Sequence, residues 1–176
     1  MKTSKFVAVA FLFVSGMGVC RANLGETEAQ CIARYGSESD IQNDIGYRQV
    51  GDKAASFNVK TTSGSFDVRV IFLKGLSCHE SISNADASRG LSEDQMKAIL
   101  DSQSAGFKWR KGKTVYHTNR ADETSETENW LRSDGATANF LMSGKAASGD
   151  LSGEVELSTK EYTFAQRVYD QENGAN

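Results

Sequence analysis

Proline is absent from all 176 residues, although an average usage of about 5% predicts several. Its absence excludes a polyproline linker and any slow prolyl isomerisation during folding. Turns must therefore rely on glycine, serine and asparagine. The chain also contains no Asn-x-Ser/Thr acceptor, so nothing indicates N-glycosylation.

Long apolar runs are also missing. The N-terminal run Phe6–Val14 has nine residues, whereas a membrane-spanning helix needs about 20. Lys2 and Lys5 precede this run and Cys20-Arg21-Ala22 follows it, a pattern typical of a secretory signal peptide. We therefore expect residues 1–22 to be removed after Ala22, and residues 23–176 to form an exported protein, periplasmic or extracellular, without a transmembrane segment.

Lipid attachment at Cys20 is the alternative processing route. Lipoprotein signals keep the residue before the modified cysteine small, whereas this chain has Val19 there. Cleavage after Ala22 would remove Cys20 altogether, and we favour that reading.

Charge limits the classes of partner. Loss of Lys2, Lys5 and Arg21 reduces the basic residues from 20 to 17 against 23 acids, which gives a net charge of about −6. Because phosphate neutralisation needs a concentrated basic face, nucleic acid is not an expected partner. The remaining length fits one domain with a core of its own.

Two cysteines remain after the expected cleavage, Cys31 and Cys78. Exported proteins usually meet an oxidising compartment, so we expect a disulfide between them, typically worth about 2–4 kcal/mol. The alternative is two buried thiols on separate packed faces.

The first half of the chain predicts one helix and three strands. Residues 24–36 read as a helix with Thr27 as N-cap and Gly36 as its end. Alternating apolar positions predict antiparallel strands over 55–61, 66–73 and 76–83.

A second helix and further strands follow. Ser92 and Gln95 stand at the spacing of a capping box, which predicts a helix to about Gln103. Residues 118–129 are polar and acidic and read as an exposed loop, and residues 160–171 predict a closing helix. Strands are expected over 107–109, 114–118, 129–133, 136–143 and 153–159.

This order predicts an α+β fold in which short helices pack on antiparallel sheet. Helix-then-strands occurs twice, which suggests a tandem repeat with halves 24–83 and 91–159. The segment Gly25–Gly36, followed by strands that contain Val70–Gly75, resembles small exported bacterial modules. These include outer-membrane-assembly lipoproteins of the SmpA/OmlA type, β-lactamase-inhibitor-like proteins and uncharacterised exported proteins of Verrucomicrobia. The resemblance implies this architecture; the missing lipidation box separates the chain from the lipoproteins.

Candidate catalytic and metal-binding residues are few. On a strand, Cys78 and His79 point to opposite faces and cannot act together as nucleophile and base. His117 has no second histidine at ligand spacing, and Asp122, Glu123, Glu126 and Glu128 lack the spacing of a calcium loop. We expect no catalytic residue, no metal and no cofactor.

Two aromatic–basic segments are the candidate binding anchors. Trp109 and Arg110 lie in one, and Trp130 and Arg132 in the other. If exposed, these side chains suit an interface, where tryptophan and arginine are enriched; if buried, the tryptophans belong to the core of the second sheet. The sequence thus favours an exported, non-enzymatic module that binds a protein or envelope component. An inhibitor of an exported enzyme and a small hydrolase are the alternatives.

Overall fold

The computed structural model describes residues 23–39, 50–86, 88–118, 123–145 and 152–174. These residues form one seven-stranded antiparallel sheet and three helices, which confirms the α+β fold. In chain order the elements are α1 Glu28–Tyr35, β1 Lys53–Thr61, β2 Gly64–Leu73, β3 Leu76–Asn84, α2 Glu93–Ser102, β4 Trp109–Thr118, β5 Glu123–Arg132, β6 Thr137–Lys145, β7 Ser152–Ser158 and α3 Lys160–Glu172.

The strand order is β1-β2-β3-β7-β6-β5-β4. The last strand of the chain therefore lies at the centre, where β7 pairs with β3 on one side and β6 on the other. Both halves of the chain share a single sheet. The tandem repeat remains a prediction.

Local sequence determines where α1 and α2 begin. Ser92 and Gln95 form a capping box at α2, as their spacing predicts, and Thr27, the predicted N-cap of α1, forms one with Gln30. In each box the hydroxyl accepts from the backbone N–H three residues on, while the glutamine side chain accepts from the N-cap N–H. Both helix starts predicted from sequence are confirmed.

The core lies between one face of the sheet and helices α1 and α2. Cys31 and Tyr35 of α1, and Met96, Ile99 and Leu100 of α2, pack on this face. The sheet contributes side chains from five strands, among them Phe57, Phe66, Val68, Val70, Ile82, Ala138, Phe140, Val155 and Leu157.

Helix α3 covers part of the opposite face. The Tyr162 ring stacks on His79 with centroids 4.8 Å apart, and His79 Nδ1 lies 2.9 Å from Ser158 Oγ. The helix has no fully buried side chain, and Phe164 is 66% exposed. Its N-cap is Thr159, whose side chain accepts from the Tyr162 backbone N–H.

The acidic stretch 118–129 is not a loop over its described part, so this prediction was wrong. Strand β5 begins at Glu123 and pairs with both β4 and β6. Alternation of threonine and serine with the glutamates suits a strand, and Lys111 of β4 neutralises Glu128 through an ion pair. Cross-strand charge pairing thus allows an acidic segment to enter the sheet.

The disulfide expected between Cys31 and Cys78 is not present. Both are free, buried thiols. Cys31 belongs to the core cluster beneath α1, whereas Cys78 Sγ lies 3.3 Å from the carbonyl oxygen of Ile71 within the sheet. The alternative of two separately packed thiols describes this arrangement.

The expected signal peptide, residues 1–22, lies outside the described residues. Within the part of the chain that is described, no helix is long and apolar enough to cross a membrane.

Candidate functional site

Strand β4, Trp109–Thr118, forms one edge of the sheet and has ten residues. It pairs with β5 on its inner side, and no other described strand lies on its outer side. The outward backbone N–H and C=O groups of such an edge can pair with another extended chain. The sequence pattern predicted two short strands here and could not show that they form an edge.

A bulge divides β4 without ending it. The register with β5 shifts between Lys111 and Thr114. Asn129 Nδ2 donates to the Lys113 carbonyl over 2.8 Å, and a Cβ on Gly112 would lie 3.3 Å from the Asn129 carbonyl oxygen. Glycine thus permits the close approach, and the asparagine satisfies the displaced backbone.

The edge is strongly basic. Lys108, Arg110 and Lys113 are exposed and make no ion pair within the described residues, while Lys111 is bound to Glu128. Three uncompensated cations therefore lie within six residues of an acidic chain. Their field favours a partner of negative charge.

Apolar side chains accompany this charge. Tyr116 is 69% exposed and Val115 is 40% exposed, and because they are adjacent in a strand they lie on opposite faces. Phe107, just before the strand, is also largely exposed. A chain added beside β4 would meet an apolar contact on each face of the sheet.

The opposite edge of the sheet, β1, is partly covered. Ser39 donates its backbone N–H to the Ser56 carbonyl over 2.8 Å, and its hydroxyl donates to the same oxygen over 3.1 Å. The segment after α1 therefore occupies this edge, which leaves β4 as the more open of the two.

Three of the four anchor candidates from sequence point inward. Trp109 and Trp130 pack against the core, and Arg132 is buried. Arg132 lies opposite Trp109 in the β4–β5 register, with its guanidinium 5.4 Å from the indole centroid. Arg110 alone stays on the surface.

The inward tryptophans are unusual in their hydrogen bonding. The indole Nε1 atoms of Trp109 and Trp130 are both buried and have no partner within the described residues. Lys111 Nζ lies 5.8 Å from the Trp130 ring centroid, a contact with the face of the ring that adds cation–π attraction but supplies no acceptor for the indole N–H. These side chains support β4 from inside and leave recognition to its outer surface.

A groove of about 240 Å³ lies beside the start of α2. Its lining residues are Leu91, Glu93, Met96, Glu128, Phe140, Met142 and Gly153. Each of its two carboxylates has a lysine partner, Lys97 for Glu93 and Lys111 for Glu128. These seven lining residues include no serine, threonine, cysteine or histidine.

Cys78 and His79 provide no catalytic pair. Burial raises the pKa of Cys78 to about 12 and lowers the pKa of His79 to about 4, so both are neutral near pH 7. His79 lies beneath Tyr162 of α3. No group of acids, cysteines and histidines suited to a metal ion occurs among the residues described.

No family model matches the chain, and neither the curated proteins nor the solved structures contain a match.

Proposed function

We propose that this chain is an exported, non-enzymatic interaction module that binds an extended acidic segment of a partner protein along the outer edge of β4. One observation carries the proposal: an open edge strand bears Arg110 and Lys113, which, like Lys108 just before it, make no ion pair within the described residues, and it has an exposed side chain on each face of the sheet. Export itself rests on the sequence of residues 1–22.

Strand addition supplies the affinity in this mode of recognition. The backbone of the incoming segment pairs with the outward groups of β4, and its alternate side chains contact the two faces of the sheet. Tyr116 offers an aromatic contact on the core-side face, and Val115 an aliphatic contact on the other. Interactions with the basic side chains would favour glutamate or aspartate at alternate positions of the segment.

The same charges disfavour self-association. A second copy of β4 laid parallel to the first and in register would bring Lys108, Arg110 and Lys113 beside their own counterparts. Like charges facing each other across a strand pair are destabilising. An acidic strand is therefore preferred over a second copy of this edge.

Peptide binding measured by fluorescence anisotropy tests the proposal. The probe is a labelled peptide of about ten residues, matched to the length of β4, in which glutamate alternates with threonine and valine. We expect saturable binding that weakens as salt increases. A peptide with lysine in place of glutamate, and one with alternate backbone N-methyl groups, should bind at least roughly tenfold more weakly.

Matched charge variants locate the site. Arg110→Glu with Lys113→Glu reverses two charges on β4, whereas Lys60→Glu with Arg89→Glu reverses two exposed charges elsewhere. The first pair should abolish binding of the acidic peptide, and the second should retain most of it. Amide hydrogen exchange should show new protection in β4 when the peptide is bound.

Several outcomes would overturn the proposal. Equal binding of the N-methylated peptide would exclude strand addition, and equal loss in both charge pairs would exclude β4 as the site. Tighter binding of a single-stranded oligonucleotide than of the acidic peptide would assign the basic edge to nucleic acid. Failure of the acidic peptide to bind at low salt would remove the support for this partner class.

A further inference from the structure

Glu80 is a fully buried carboxylate in the core, with no exposed surface. Its Oε2 accepts from the Tyr35 hydroxyl and from Gln103 Nε2, each over 3.3 Å. Its Oε1 has no hydrogen-bond partner within the described residues. A buried carboxylate oxygen without a donor is unfavourable, so this atom indicates a place for one.

The chain around Asn23 lies directly against this cluster. Ser77 Oγ donates to the Asn23 carbonyl over 3.1 Å, and Leu24 N–H donates over 3.0 Å to Oε1 of Gln103, the same side chain that binds Glu80. Gly25 N–H donates to the Ser77 carbonyl over 2.8 Å. These bonds fix Asn23 beside the buried carboxylate, and its backbone N–H is near enough to lower the pKa of Glu80.

No cation in the cluster is available to Glu80. The guanidinium of Arg34 binds Glu26, with Nε 2.9 Å from Glu26 Oε2. Glu26 raises the pKa of Glu80 and Arg34 lowers it, while burial raises the pKa of the nearby Cys31 thiol to about 12 and keeps that thiol neutral near pH 7. Burial is the largest influence and raises the pKa of Glu80 to about 7.

We propose that cleavage after Ala22 places the new α-ammonium group of Asn23 on Oε1 of Glu80, so that removal of the signal peptide completes the core with an ion pair. The proposal depends on the predicted cleavage site and not on peptide binding at β4. Hydrolysis adds one water across the Ala22–Asn23 peptide bond and gives a carboxylate on Ala22 and an ammonium on Asn23. One amide donor thereby becomes a cation with three N–H donors.

The ion pair would change the pKa of both the α-amine and Glu80. An α-amine ordinarily has a pKa of about 7.7–8.0, and an adjacent buried carboxylate raises it. The ammonium in turn favours the ionised form of Glu80 and lowers the pKa of that side chain. A precursor that retains Ala22 has neither the charge nor the extra donors.

A thermodynamic cycle tests this coupling. The chain that begins at Asn23, produced by removing a tag without leaving a residue, is compared with the chain that retains Ala22, each with Glu80 or Glu80→Gln. Retention of Ala22 should lower the unfolding midpoint at pH 7 by roughly 5 °C or more when Glu80 is present. It should have little effect in Glu80→Gln, whereas the exposed control Glu161→Gln should keep the full effect.

A second measurement does not depend on stability. Acylation of the Asn23 α-amine, followed by mass spectrometry across pH, should be at least roughly fivefold slower at pH 8 in the native chain than in a peptide of residues 23–30. The pH at which acylation is half-maximal should lie above the ordinary α-amine range by about one pH unit or more.

The following results would overturn the proposal: an ordinary α-amine midpoint, an equal effect of Ala22 in Glu80 and Glu80→Gln chains, or an exported protein whose N-terminus is not Asn23. If Glu80→Gln does not fold, the acylation midpoint of the native chain decides alone.

Discussion

His79 and Glu80 are neighbours in β3 that project to opposite faces of the sheet, and burial shifts the pKa of each toward its neutral form. His79 lies beneath Tyr162 of α3, with a pKa of about 4, and Glu80 lies in the core beneath α1 and α2, with a pKa of about 7. Their proton linkages therefore act on stability in opposite directions. Partial cancellation should make the stability of the uncleaved chain nearly independent of pH between about 4.5 and 6.5.

The Glu80→Gln variant removes the pH dependence that Glu80 gives to stability and should leave that of His79 visible. In the uncleaved chain the pKa of Glu80 is raised from 4.5 to about 7, so the folded state keeps a proton that the unfolded state releases. Stability contributed by this site falls as pH rises from 4.5 to 7, by roughly 3 kcal/mol. Urea unfolding should show Glu80→Gln without this loss and more stable than the parent at pH 8. Between pH 4.5 and 6.5 the stability of Glu80→Gln should therefore rise with pH, because only the contribution of His79 is left, whereas that of the parent changes little. A chain that begins at Asn23 should shift in the same direction, and a pH dependence of Glu80→Gln equal to the parent's would contradict the assignment.

The His79→Phe variant removes the pH dependence that His79 gives to stability and should leave that of Glu80 visible. The pKa of His79 is lowered from 6.5 to about 4, so the unfolded state binds a proton that the folded state rejects. Stability from this site is present above pH 6.5 and is lost as pH falls to 4, by roughly 3 kcal/mol. Phenylalanine keeps the ring against Tyr162, and without the opposing effect of His79 the variant should be more stable at pH 5 than at pH 7, whereas the parent changes little. A variant whose stability depends on pH no more than the parent's would contradict this assignment.

Local signals in the sequence predicted more of the fold than long-range ones. The caps Thr27 and Ser92 depend on hydrogen bonds that span three residues, so their spacing determines both helix starts. The acidic β5 depends on partners in β4 and β6, and no pattern within the segment reveals Lys111 across the pair. Pairing information of this kind is absent from a single sequence.

For the candidate sites, too, local patterns were readable from the sequence and long-range pairing was not. Alternation predicted Leu76, Cys78, Glu80 and Ile82 on one face, but a register shift between Ile71 and Phe72 leaves Leu76 46% exposed and buries Ser77. From sequence, Trp109 and Trp130 could belong either to a core or to an interface. Their packing against the core, which only the structure shows, assigns them to the first. The edge position of β4 follows from strand order, which the sequence did not reveal.

The two thiols should react only when the protein unfolds. Burial raises the pKa of Cys31 and of Cys78 to about 12, so almost no thiolate forms at pH 8. We expect the native protein to resist iodoacetamide, and the denatured protein to gain two labels by intact mass without any reductant. Labelling that requires prior reduction would instead show a disulfide.

Arg132 should be among the most sensitive positions in the second half. Its guanidinium binds both carboxylate oxygens of Asp134 over 2.8 Å and donates to the Gln103 carbonyl, which ties β5 to the end of α2. Arg132→Leu should reduce the free energy of unfolding by about 2–4 kcal/mol, because the Gln103 carbonyl loses its guanidinium donor and Asp134 loses its charged partner and keeps the Ala136 N–H. Arg132→Lys should restore only part of this. The exposed control Arg110→Leu should change it by less than about 0.5 kcal/mol, and an equal loss there would contradict this role.

Ser92 should contribute to stability through its cap alone. Ser92→Ala removes the acceptor for the Gln95 N–H and should cost about 1 kcal/mol in urea unfolding. Ser92→Thr keeps the hydroxyl and serves as the matched control. Equal losses in the two variants would show that packing, and not the cap, determines the effect.

The central position of β7 has a consequence for how the chain matures. His79 of β3 and Ser158 of β7 are 79 residues apart in sequence yet adjacent in the sheet. During synthesis or passage through a translocation channel, the edges of β3 and β6 that pair with β7 stay unpaired until β7 has emerged. The sheet closes at its middle and in its last step, so a chain interrupted before Ser152 would expose two neighbouring edges and depend on holding factors against aggregation.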